Sequence, residues 1–96
     1  MKEHFVSTDK DYQTHVYYLK FALKFADDDI TELVSSFNRE VHNKGLAGMR
    51  VYHDRALIDE FIRRGIDVSC VCDGNSINFN HQVRFEVDGR NLVNID

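Results

Sequence analysis

From residue 30 to residue 41 the large apolar side chains are Ile30, Leu33, Val34, Phe37 and Val41, spaced i, i+3, i+4, i+7 and i+11. That spacing lays them along one face of an α-helix. The run Asp27-Asp28-Asp29 precedes it and puts Asp29 at the N-cap, where a carboxylate accepts free backbone N–H groups and complements the positive end of the helix dipole. Gly45 suits the left-handed position beyond the helix end. A second helical face is formed by Leu57, Ile58, Phe61 and Ile62, with Asp54 as its cap and Arg63-Arg64-Gly65 as its stop.

Elsewhere the pattern alternates. Tyr17, Leu19, Phe21, Leu23 and Phe25 fall on every second residue, the period of a half-buried strand, although Leu, Lys and Ala in the same stretch favour a helix as the alternative. Met49-Arg50-Val51-Tyr52 reads as a short strand, and Ile66, Val68, Cys70 and Cys72 as another. Gly74-Asn75 marks a turn, after which Ile77, Phe79, His81, Val83, Phe85 and Val87 alternate with polar residues. Asp88-Gly89 is a strong hairpin signal and returns the chain through Arg90 to Ile95. The predicted order is strand, helix, strand, helix, strand, strand, strand. This is an α+β fold with two helices on a mixed five-stranded sheet: a right-handed, parallel βαβ crossover followed by an antiparallel meander. Residues 1–14 read as an irregular arm or an edge strand, and 15–96 as one globular domain, since 96 residues leave no material for a second core.

Composition narrows the function classes. Hydrophobic residues make up 43% and charged residues 29%, enough apolar material for one core. The net charge of −4 argues against sequence-independent nucleic-acid binding, which draws on a basic excess. No stretch is long and apolar enough to span a membrane and the first residues lack the apolar core of a signal peptide, so a soluble, cytoplasmic protein is expected. On a strand Cys70 and Cys72 would share a face but lie too far apart at Cβ for a relaxed disulfide, and they are read as reduced thiols.

Two functional readings follow. In the leading one the chain is a small acidic, non-enzymatic binding protein, an inhibitor, immunity or assembly factor. Its contact residues would be Asp27, Asp28, Asp29, Glu32, Tyr18 and Tyr52, facing a larger protein with a basic surface. Self-association through an exposed sheet edge is a further expectation. In the alternative, carboxylates at the carboxyl edge of a parallel sheet converge. Asp27, Asp54 and Asp73 with His53 would then hold Mg²⁺ or Mn²⁺ for phosphoester chemistry or nucleotide binding. Ordinary capping and turn roles account for Asp29, Asp54 and Asp73 and are the stronger reading of these residues. His81 falls in an apolar phase near the rung of Cys70, which raises either a core-edge histidine or a pairing with Cys70 or Cys72, as a thiol with its base or as metal ligands. No nucleotide-loop, Cys-x-x-Cys or His-Glu-x-x-His motif is present.

Overall fold

Asp29 caps the second of three helices. Its side chain accepts the Glu32 N–H at 2.9 Å while the Glu32 carboxylate accepts the Asp29 N–H at 2.9 Å, a reciprocal capping box. The computed structural model describes residues 14–41, 48–73 and 76–95. Within them the chain forms α1 (Val16–Asp27), α2 (Ile30–Glu40), α3 (Gly48–Arg63), β1 (Val83–Glu86) and β2 (Asn91–Asn94). The expected five-stranded sheet with two helices is therefore replaced by three helices and one antiparallel hairpin, and no βαβ crossover forms among the described residues.

The first difference is α1, which replaces the strand expected over 15–25. Of the alternating residues only Phe25 is fully buried, whereas Tyr17, Leu19 and Leu23 are exposed. The residues turned inward are Tyr18, Phe21, Ala22 and Phe25, at helical spacing, and they pack against the core that α3 helps to build. Strand and helix readings share Phe21 and Phe25, so alternation alone could not separate them. The helix-forming Leu, Lys and Ala, together with packing on α3, decide the outcome.

α3 likewise absorbs the strand expected at Met49–Tyr52, because no turn residue separates Tyr52 from His53. Asp54, expected as a cap, consequently lies within the helix and has no exposed surface. The end of α3 follows the sequence signal. Gly65 has φ +78°, its N–H donates to Ile62 O at 2.9 Å, and the Ile66 N–H donates to Phe61 O at 3.0 Å. These are the two bonds of a Schellman motif, with Ile66 and Phe61 both buried beside it. Arg64 then ties α3 to α1. Its guanidinium donates to Phe25 O at 3.0 Å and Asp28 O at 2.7 Å, satisfying carbonyls at the end of α1. Glu60 holds that guanidinium in place at 2.6 Å and also pairs with Arg63. Burial pushes the Glu60 carboxyl upward, but the hydrogen bonds from Arg63 and Arg64 outweigh it and leave the group below its ordinary range.

Residues 66–72 do not continue as a strand. Val68 O accepts the N–H groups of both Val71 and Cys72 at 2.9 Å, and Val71 is buried along with Cys72, which breaks the alternation. Pairing is limited to isolated bridges, Asp67 parallel to Asn91 and Cys72 antiparallel to Ile77. The long strand expected from Ile77 shrinks to Val83–Glu86. Its partner Asn91–Asn94 is joined to it by the four residues 87–90 instead of a two-residue turn at Asp88-Gly89, with Arg90 at φ 49°. α2 also stops earlier than expected: it ends at Glu40, with Val41 an extended cap at ψ 131°, and does not run on to the end expected at Lys44-Gly45. The Gly74-Asn75 turn and nearly all of the N-terminal arm fall outside the described residues.

The hairpin is fastened to α2 by one side chain. The Asn38 amide Nδ2 donates to Val83 O at 2.9 Å and its Oδ1 accepts the Val83 N–H at 2.8 Å, as a neighbouring strand would. Nearby, Phe37 stacks on Phe79 with ring centres 4.7 Å apart. Among the described residues no helix is long and apolar enough to cross a membrane. Replacing Asn38 by Ala leaves the Val83 N–H and carbonyl without these partners. Urea unfolding should show a loss of about 1–3 kcal/mol, whereas Asn94→Ala, at an exposed position, should change stability by less than about 0.5 kcal/mol.

Candidate functional site

Asp54 is a carboxylate with no exposed surface, and it sits within a cluster of charged and polar side chains. Arg50, His53 and Asp54 lie on successive turns of α3, at spacings that put them on one side of the helix. Glu40, the last residue of α2, faces them. Arg50 Nε is 3.0 Å from Glu40 Oε1 and 3.3 Å from Asp54 Oδ2, so one guanidinium balances two carboxylates. His53 Nδ1 lies 3.0 Å from Asp54 Oδ1 and 3.9 Å from Glu40 Oε2. Glu40 Oε1 is buried and at ion-pair distance, yet it accepts no hydrogen bond, because the Arg50 Nε–H is directed toward Asp54 instead.

Aromatic rings close the cluster. Phe21 and Phe25 from α1 meet the His53 ring edge to face at 4.9 and 5.3 Å, and Arg50 lies 5.6 Å from the centre of Phe79. Glu40, His53 and Asp54 can each turn one donor atom inward, with all three atoms within 4.8 Å of one another. Two oxygens and an imidazole nitrogen form a donor set that suits a divalent cation. The positive charge held by those carboxylates in this structure is Arg50.

The residues expected to bind metal are thus only partly together. His53 and Asp54 join, Glu40 was not anticipated, and the exposed Asp27 and Asp73 take no part in the group. Asp73 instead accepts the Ser76 N–H at 3.0 Å, a local turn role. The residues expected to contact a partner are also dispersed by structural duties. Tyr18 is buried and its hydroxyl donates to Asp59 at 2.6 Å, and Tyr52 is half-buried with its ring stacked on His15 at 4.0 Å. Asp28 pairs with Lys24 at 2.8 Å, and Asp29 and Glu32 form the capping box. Asp27 alone of the acidic run has an exposed position and no capping role.

His81 is exposed rather than at a core edge, while Cys72 is buried and Cys70 half-buried with its Sγ donating to Leu92 O at 3.1 Å. Burial, with the nearby Asp67 charge, pushes the Cys70 thiol above its ordinary range, the opposite of an activated nucleophile.

A second feature went unread in the sequence. Val16, Leu19 and Leu23 on α1 are 60%, 48% and 73% exposed, and Ala26 continues the same line. These four positions fall at i, i+3, i+7 and i+10, a separate stripe beside the one that packs inward. The signal is present in the spacing, but a strand reading of 15–25 sends Leu19 and Leu23 into the core and hides it.

Substituting Arg50 by Met should test the ion cluster. Removing the guanidinium leaves Glu40 and Asp54 without their shared counter-charge, and thermal or denaturant unfolding should report a loss of about 3–5 kcal/mol; a loss below about 1 kcal/mol would show that the cluster is not held by Arg50. Comparison of the chain with protein-family models, with curated proteins and with solved structures finds no match in any of the three, so the functional reading rests on the chain's own geometry.

Proposed function

We propose that this chain is a small non-enzymatic binding protein, of the inhibitor, immunity or assembly-factor kind, which engages a helical partner through the outer face of α1. The observation that carries the reading is the exposed line Val16, Leu19, Leu23 on a helix whose opposite side already serves the core. An isolated exposed leucine is ordinary, but three large aliphatic side chains aligned on one helix form the anchor row that helix-on-helix recognition uses. Asp27 lies at the end of the row and Lys20 beside it, giving a charged rim to an apolar strip. The acidic cluster first expected to make the contact contributes Asp27 to this face, while Asp29 and Glu32 serve helix capping.

Affinity capture with the tagged chain tests the proposal. A partner retained in near-stoichiometric amount should be lost, by roughly tenfold or more, with Leu19→Asp or Leu23→Asp. It should be kept with Val87→Asp, an equally exposed apolar position in the hairpin turn. Equal retention by all three variants would rule out α1 as the binding face.

The donor set of Glu40, His53 and Asp54 supports a second reading, a divalent cation site in which Arg50 turns from the carboxylates toward a bound phosphate. Here Mn²⁺ suits the mixed oxygen and imidazole donors better than Mg²⁺. Millimolar Mn²⁺ should then raise the melting temperature of the wild-type chain and leave that of Glu40→Gln unchanged; an unshifted wild-type melting curve would exclude the site.

A further inference from the structure

We infer that the outer face of α1 is a self-complementary seam that joins two copies of this chain with their α1 helices antiparallel. The inference rests on the reading of α1 as a binding face and names its occupant. Val16, Leu19, Leu23 and Ala26 alternate steps of three and four residues, which is the a/d spacing of a two-helix seam rather than the broader stripe of a helix lying on a globular core. Val16, Leu19 and Leu23 are 60%, 48% and 73% exposed, and Ala26 is exposed as well, so the described residues leave this line uncovered.

Self-complementarity is read from what each residue would face. In an antiparallel pair centred near Phe21, Leu19 meets Leu23 of the second copy, and Val16 meets Ala26 of the second copy. The layers then pair Leu with Leu at the middle and a larger with a smaller side chain at each end. On the outer flank the e positions of this seam are Lys20 and Asp27. Antiparallel pairing places Lys20 about five residues, roughly 7.5 Å along the axis, from Asp27 of the second copy. Helical side chains tilt toward their own N-terminus, which in this orientation turns that lysine and that aspartate toward each other. The two-fold axis makes the contact twice. A parallel pair would bring Lys20 near His15 of the second copy and Asp27 near Ala22 of the second copy, with no ion pair and with the helix dipoles aligned.

Lys20 is also suited to the role by its surroundings. Lys24, one turn on, is already bridged to Asp28 at 2.8 Å, while among the described residues no ion pair engages Lys20. The opposite flank carries Ala22, whose small side chain permits close approach on the side facing the protein body.

Sedimentation velocity over a concentration series, from about 1 μM to about 1 mM, tests the inference with the full chain. The wild-type should pass from monomer to dimer within that range, and Leu23→Glu should stay monomeric throughout. Lys20→Asp should weaken the dimer by roughly 2- to 30-fold, the sum expected for two exposed ion pairs. Combining Lys20→Asp with Asp27→Lys should restore it. All of these positions are exposed, and at concentrations where the wild-type is monomeric circular dichroism should show unchanged melting. A wild-type chain that remains monomeric to the top of the range overturns the inference, as does a dimer that survives Leu23→Glu. A dimer lost with Leu23→Glu but not restored by the charge exchange overturns the antiparallel arrangement. Failure here is separable from failure of the binding face itself: a different protein captured by the wild-type and released by Leu23→Asp leaves the face intact and removes only the second copy as its occupant.

Discussion

The architecture depends on a carboxylate that has been taken entirely out of water. Asp54 sits inside α3 with no exposed surface, and an isolated charge there would cost several kcal/mol. It is compensated by Arg50 one turn earlier and by His53 beside it, and Arg50 in turn reaches Glu40 at the end of α2. Phe21 and Phe25 of α1 then cover the imidazole. Satisfying one buried charge therefore fixes the end of α2 and the inner face of α1 against the same stretch of α3. Arg64 repeats the arrangement at the other end of that helix, where Glu60 orients a guanidinium onto the carbonyls closing α1.

These two arginine clamps divide the helical part of the molecule into a fixed side and a free side. On the fixed side Tyr18, Phe25, Leu57 and Phe61 are buried and their neighbours are held by directed polar contacts. On the free side α1 turns aliphatic residues outward, and nothing in the ion network needs them there. A helix anchored through one face holds the backbone of the other in place, which would lower the ordering cost of the association proposed for it.

What could be read in the sequence was whatever depended on near neighbours. The start of α2, the Asp29 cap and the Gly65 stop each follow from residues within about one or two turns of one another, and each stands as the pattern predicts, whereas α2 ends at Glu40, one residue short of Val41 at the end of its stripe. The strands at 15–25, 49–52 and 66–72 did not form because their alternation was ambiguous and distant packing decided it: Phe21 and Phe25 satisfy a strand and a helix alike until α3 supplies their contacts. The candidate site shows the same division. His53 and Asp54 drew attention as adjacent polar residues, but placing Asp54 as a helix cap made it an exposed group, and neither Arg50 nor Glu40 could be assigned to it without knowing that α3 begins before Arg50. Aspartates 27 and 73 were grouped with it only through a parallel sheet that does not form among the described residues.

The pairing of Asn38 with Val83 bears on more than the docking of the hairpin. A strand's outer edge repeats the same donors and acceptors along its length, and any extended segment can add itself there and present a fresh edge in its turn. An amide side chain meets one residue's N–H and carbonyl and then ends, offering nothing to the next arrival. On the far side of the hairpin Asp67 does the equivalent with its main chain, bonding to Arg90 and Leu92 before the backbone turns away at Ser69. Each margin of this two-stranded sheet is thereby occupied in part, at Val83 on one side and at Arg90 and Leu92 on the other, by groups that cannot be copied, and a strand adding at those positions must first displace them.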